Sequence, residues 1–235
     1  MWRCAPVPAE KPSAMSIKGS RYLFCVGVCL VTLGCGGDQT GALIAQLADS
    51  DVETRRAAAR ALGERSDVDD QVVPALSGAI ADSDAQVRQL SIHALARIGP
   101  AAISSLPVLK PALQDPELPV RVGAALAIAK IEPRDPSFIP VLNTAMRAAN
   151  GRVLLEVGAM GKDAAWAVPT LTALLSHPQA GVRALAAQTL GRIGPAAVEA
   201  RAALQRVLRD PNAAVRYAAE EALDRIPAGA AAPDL

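Results

Sequence analysis

Two phrases recur along this chain in a fixed relation, and together they leave few folds open. The first is apolar, proline, any residue, apolar. It stands at Val73-Pro74-Ala75-Leu76, Leu106-Pro107-Val108-Leu109, Ile139-Pro140-Val141-Leu142 and Val168-Pro169-Thr170-Leu171. Its prolines are spaced 33, 33 and 29. The second is a turn followed by Val-Arg or its equivalent and an alanine-rich apolar stretch. Its arginines are 33 apart from Arg55 to Arg88 to Arg121, and again from Arg183 to Arg216. A period of this length, held in two registers at once, means stacked supersecondary units rather than one closed core.

Each unit reads as two helices. Helix A is short and is expected to be broken or bent by its proline. A turn of Asp, Ser, Pro and Asn follows, and its carboxylates suit the orphan N–H groups that open helix B, at about 1 kcal/mol per cap. Helix B keeps Val87, Ser91, Ala94, Leu95 and Ile98 on one stripe, at offsets that match a 3.6-residue period. Gly99-Pro100 and Gly194-Pro195 end it, because glycine takes the left-handed cap and proline forbids continuation. Aromatic residues make up 3% of the chain, too few for the strand-rich cores of sandwiches and barrels. The expectation is all-α: an α-solenoid of about six two-helix repeats.

The helix A proline, the Asp six before the Arg, and the Val-Arg pair resemble the HEAT repeat family, in the short bacterial form also found in phycobilin lyase subunits. The resemblance covers about residues 41 to 227, with units at about 41–66, 67–102, 103–133, 134–164, 165–197 and 198–227. It implies a ladder of hydrogen bonds from unit to unit through Asp49, Arg55, Asp82, Arg88, Asp115, Arg121, Arg183, Asp210 and Arg216. Gly41 and Ala202 stand where the first and sixth units would have proline, and terminal units are expected to be atypical. The fourth unit is four residues short. It lacks the Asp and the Arg, with Asn150 at the Arg register, and it carries Gly151, Gly158 and Gly161. A shortened, locally weak helix B and a change of superhelical curvature are expected there.

All four cysteines lie at or before residue 35: Cys4, Cys25, Cys29 and Cys35. Disulfide, thiolate-metal and thiol-nucleophile chemistry is therefore excluded from the body. Residues 1–35 read as an export signal, with Met15 the more ordinary start. A basic stretch from Met15 to Arg21 precedes the apolar run Tyr22 to Leu33, which is too short to span a bilayer. Gly34-Cys35-Gly36-Gly37 then resembles the lipobox of bacterial lipoproteins, although Leu33 and Thr32 depart from its usual residues. The resemblance implies lipidation of Cys35, a linker over 36–40 and a place in the cell envelope, membrane-anchored through the lipid. The alternative is an ordinary cleaved secretory signal that happens to contain cysteines. Residues 228–235 read as a flexible tail.

No catalytic constellation or cofactor motif emerges, and no metal-ligand spacing surrounds His93 or His177. After residue 35 the chain holds 20 basic and 22 acidic groups, which gives no drive toward nucleic acid. The repeated arginines are better explained as serving each unit than as an anion-binding row. Asp-Ser-Asp and Asp67-Val68-Asp69-Asp70 lack the glycine and distal glutamate of a calcium loop and read as caps. What remains is surface. In HEAT stacks the B helices line the concave face, and the column opposite the core runs through Arg56 and Arg60, then Gln89 and His93. It continues through Val122 and Leu126, Leu155, Gln188, and Tyr217 and Glu221. Its middle is apolar, so these residues either pack between irregular neighbours or form a partner-binding patch. Beside them lies the short fourth unit, whose missing turn is expected, on the second reading, to open a shallow groove. The expected function is a non-catalytic protein-binding scaffold with no cofactor and no small-molecule substrate. The alternatives are a bilin lyase-like or other enzyme-associated subunit and a structural envelope protein.

Overall fold

A computed structural model describes residues 39–65 and 70–228. Cys35, the export segment, most of the linker, Asp67 to Asp69 and all but the first residue of the tail lie outside the described residues. Within them the chain is all-α, as six consecutive helix pairs. The A helices are α1 (Gln39–Gln46), α3 (Val72–Ala79), α5 (Leu106–Ala112), α7 (Ile139–Arg147), α9 (Val168–Leu174) and α11 (Arg201–Val207). The B helices are α2 (Val52–Glu64), α4 (Ala85–Ile98), α6 (Leu118–Ile131), α8 (Gly151–Ala159), α10 (Ala180–Ile193) and α12 (Ala213–Arg225). Short 3-10 turns at Gly99–Ser105, Pro136–Phe138, Gly161–Ala167 and Gly194–Ala200 lead into α5, α7, α9 and α11. The repeated prolines Pro107, Pro140 and Pro169 sit in the first turns of α5, α7 and α9, where a missing N–H costs nothing, so they start these helices rather than break them. Helix α5 carries a second proline, Pro111, in its interior.

The turn carboxylates divide their work. Asp51, Asp84 and Asn212 are the N-caps of α2, α4 and α12, accepting from N–H groups two or three residues on. Asp49, Asp82, Asp115 and Asp210 stand two residues earlier and each accept from the N–H two residues ahead, at 2.8–2.9 Å. They shape the turn and do not cap the helix. His177 takes this place in the fifth unit, its Nδ1 accepting from the Gln179 N–H at 3.2 Å.

Of the expected stripe on α4, Val87, Ser91, Ala94 and Leu95 are buried and Ile98 is half-buried. Ala85–Ala112 is 28 residues long and apolar enough to cross a membrane by length and composition. Gly99, at φ +68°, divides it into α4 and α5 of adjoining units.

The B helices pack side by side through small residues. A Cβ placed on Gly63 of α2 would lie 2.9 Å from the Ala94 Cβ of α4, and one on Gly191 of α10 would lie 2.8 Å from the Ala222 Cα of α12. Gly63 and Gly191 stand eight residues after their unit's arginine, and Ala94 and Ala222 stand six after theirs. Gly158 of α8 follows the same rule against Thr189 of α10. Close backbone approach joins α2 to α4 to α6, and α8 to α10 to α12, but does not join α6 to α8. There the six-position holds Glu156, a side chain too large for the seam, opposite Ala129. Glu156 turns instead to Lys130 of α6, with Nζ to Oε2 at 2.7 Å.

Candidate functional site

Helix α8 is nine residues long, against thirteen or fourteen for the other B helices. The loss is at its start. Gly99, Gly161 and Gly194 are the positive-φ glycines that follow α4, α8 and α10, and each lies eleven residues beyond Arg88, Asn150 and Arg183. The C-terminal ends therefore align, and Asn150 caps α8 where its neighbours already have their first turn complete. Ala149, in the left-handed region at φ 56°, makes the abrupt change from α7 into α8. Gly158 lets the helix approach Arg192 and Thr189 of α10 closely.

A groove of about 210 Å³ occupies the space beside the missing turn. Gln89, His93 and Ala96 of α4 form one wall. Leu118, Val122 and Leu126 of α6 form the floor, and Asn150, Arg152 and Val153 of α8 form the other wall. The volume is below the ~300 Å³ at which a pocket encloses a drug-sized molecule, but it admits one or two side chains. Leu118 is 55% exposed. Leu126 is only 9% exposed, so it belongs to the floor and the core and is not the free surface residue that the helical column suggests.

The column divides. Gln89, His93, Val122 and Leu126 meet in this groove. Leu155 is 46% exposed on α8 but lies outside it. Gln188 and Glu221 line a separate polar depression with Arg192 and Arg225, and Tyr217 donates to Glu221 at 3.3 Å. Arg56 is not free for a partner, since it pairs with Asp84 at 2.6 Å and with Glu53. The column treats each helix alone. Which residues meet is decided by helix spacing, and spacing changes at Glu156.

The groove's charged lining is Lys130, Arg152 and Glu156. Lys130 pairs with Glu156, while Arg152, and Arg97 near His93, have no acidic partner among the described residues. Burial, then Arg152, Arg97 and Lys130, push the His93 imidazole below its ordinary range, so at neutral pH it is uncharged.

The ladder runs through three rungs. Arg55 reaches Asp82, Arg88 reaches Asp115 and Arg183 reaches Asp210, each through Nε and Nη2 to the two carboxylate oxygens at 2.7–3.1 Å. In each case Nη1 donates to two carbonyls of the arginine's own turn. Arg121 and Arg216 keep only the bonds to their own turns, Asp115 and Pro116 for one, Asp210 and Pro211 for the other. Arg216 lies in the sixth pair. Arg121 is interior, and the fourth unit offers it no carboxylate. The Asp49 carboxylate serves its own turn. Arg88 draws the Asp115 carboxyl below its ordinary value, and Arg183 does the same for Asp210. For Asp82 burial raises the pKa, and hydrogen bonds from Arg55 and the Asp84 N–H outweigh it.

A family model described as HEAT repeats matches residues 40–106, 81–161 and 152–224. Among solved structures, an engineered protein is similar at 22% identity and a TM-score of 0.52, covering 78% of this chain and 94% of its own. The complex of CpcE and CpcF of phycocyanin lyase from Nostoc sp. PCC7120 is similar at 24% identity and a TM-score of 0.54, covering 80% and 77%. At these identities the likeness concerns the fold. Comparison with curated proteins returns no match.

Proposed function

The chain belongs to the HEAT repeat family, and from that premise we propose that it is a non-catalytic scaffold whose groove between α4, α6 and α8 docks a segment of a partner protein. The observation that carries the reading is the groove's construction. A helical turn is absent from one unit of a regular stack, which leaves Leu118 and Val122 partly uncovered where α8 starts late. Solenoids absorb such a local change because each unit is held by its immediate neighbours.

The occupant is an extended or single-turn segment carrying an apolar side chain beside acidic ones. Apolar Leu118, Val122 and Leu126 suit the first, and Arg152, which has no acidic partner among the described residues, suits the second. Charge of this kind sets orientation and association rate more than affinity. His93 lies among Arg152, Arg97, Lys130 and Glu156, and His177 holds a turn N–H.

Export and anchoring complete the proposal and rest on the sequence from Met15 to Cys35. A lipidated Cys35 would tether the solenoid through a short linker, and two acyl chains hold such an anchor firmly. The protein would then present its groove at a membrane surface in the cell envelope.

The test is position-resolved photo-crosslinking in cells, with a photoreactive residue at Leu118 in the groove or at Val198, an exposed position away from it. Docking predicts one discrete adduct from Leu118 alone, with the cross-linked partner segment rich in acidic residues. Equal adducts from both positions, or none from Leu118, reject the reading. Membrane fractionation of Cys35→Ala checks the anchor separately: release from the membrane supports it, and unchanged partitioning of a cleaved chain refutes it.

A further inference from the structure

We propose that Arg121 is a preformed receptor for a partner's carboxylate, and that the docked segment completes the missing rung as well as the missing turn. The inference rests on the docking reading above and names the chemistry the partner brings.

Three arginines of this chain show what the receptor holds. Arg55, Arg88 and Arg183 are each anchored through Nη1 on two carbonyls of their own turn, which aims the Nε–Nη2 edge along the stack. A carboxylate from the next unit fills that edge every time. Arg121 is anchored in the same way, at 2.6 Å to the Asp115 carbonyl and 2.8 Å to the Pro116 carbonyl. Its Nε and Nη2 have no partner among the described residues, and neither is a buried, unpaired atom. Neither is therefore fully buried, and the anchoring of Nη1 matches that of the arginines whose free edge receives a carboxylate.

The vacancy has a cause in the sequence. Asp115 lies six residues after Leu109 of α5, and the same step from Leu142 of α7 reaches Ala148, which has no acceptor to offer. The chain then enters α8 directly instead of forming the usual turn. Arg121 lies between Leu118 and Val122 on α6, two residues of the groove floor. One deletion therefore exposes a carboxylate receptor and an apolar groove side by side. A partner segment with an acidic residue a few positions before an apolar one fits both. In the intact sixth unit that pattern is Asp210-Pro211-Asn212-Ala213-Ala214-Val215. Two parallel charge-assisted hydrogen bonds from a planar guanidinium make the receptor selective for carboxylate over carboxamide, and a lysine cannot reproduce the fork.

The experiment uses the full chain, labelled for NMR at arginine Nε and at leucine and valine methyls. The probes are two blocked hexapeptides, one with the sequence of residues 210–215 and one with asparagine in place of its aspartate. The aspartate peptide is expected to shift the Arg121 Nε–Hε resonance and the Leu118 and Val122 methyls, and to leave Arg88, whose fork is filled, unmoved. The asparagine peptide should bind about tenfold or more weakly, and Arg121→Lys should erase the difference while leaving the spectrum of the fold intact. Equal binding of the two peptides with Arg121 unmoved overturns the receptor and leaves the groove as a docking site. A shift at Arg121 without the methyls upholds the receptor and removes the groove from it. No shift at Arg121 or at the methyls overturns both.

Discussion

Arg88 and Asp115 lie in successive units and meet as fork and carboxylate, Nε to Oδ2 at 2.8 Å and Nη2 to Oδ1 at 2.9 Å. The same guanidinium donates to the Asp82 and Ser83 carbonyls of its own turn. One side chain thus closes the turn before its helix and ties that helix to the next unit. Both partners are mostly buried, so removing one leaves the other without its charge-assisted bonds. Arg88→Ala is expected to cost about 1–3 kcal/mol in chemical denaturation. Arg121→Ala removes only bonds to its own turn and orphans no carboxylate, so it should cost clearly less. Equal losses would mean that the rung contributes nothing beyond the turn.

Acid should break one link between units, outside the ladder, in a defined pH window. Lys110, and then the N–H of Ser137, hold the Asp135 carboxyl at about 2 against an ordinary 3.8. A carboxyl depressed on folding contributes its full stabilisation above the unfolded pKa and loses it as pH falls through the folded one. The contribution of Asp135 is therefore complete above about pH 4 and lost between there and about pH 2. Asp135→Asn should lower the melting temperature at pH 7, and the difference from the parent should shrink across that window. A difference that stays constant down to pH 2 would contradict the Lys110–Asp135 link between the third and fourth units.

Small residues at the B-helix seam make a paired prediction. Gly191→Ala raises helix propensity but puts a Cβ 2.8 Å from the Ala222 Cα. It should destabilise by about 1–3 kcal/mol through overpacking. Gly181, in the first turn of the same helix, has nothing within 4 Å of such a Cβ. Gly181→Ala should be neutral or stabilise by up to about 1 kcal/mol. Thermal melts of the two variants check the signs.

Ala149 carries the left-handed conformation that joins α7 to α8. An L-residue there costs roughly 1–2 kcal/mol that glycine does not incur, partly offset by glycine's greater unfolded-state entropy. Ala149→Gly should raise stability by up to about 1 kcal/mol. A fall would mean that the direct entry into α8 is not held in this conformation.

The repeat, its period and its two-helix unit were legible because each is written several times over. The phrase Leu106-Pro107-Val108-Leu109 and the step from Asp115 to Arg121 recur with the same chemistry, so each copy checks the others. The shortened fourth helix was legible for the same reason, as a departure at Asn150 from a known register. The pairing of the six- and eight-positions was less accessible, because Gly63 and Ala94 look like two more small residues in an alanine-rich chain until the helices are set side by side. Leu126 illustrates the same limit. On α6 alone it lies opposite the core, yet the flanking helices leave it 9% exposed. The split between the groove at Val122 and the depression at Glu221 follows from inter-helix spacing, which Glu156 alters at one junction only.

Leu118 offers the most direct measurement of the docking account. It is 55% exposed on the floor of the groove, so Leu118→Asp should leave helicity and melting temperature unchanged, whereas a charge at Leu126 would enter the core. With the fold intact, affinity for the partner segment identified by crosslinking should fall at least about tenfold, because the charge replaces an apolar contact and repels an acidic segment. An unfolded Leu118→Asp would contradict the exposed floor, and an intact variant that binds the segment with unchanged affinity would contradict the groove as the docking site.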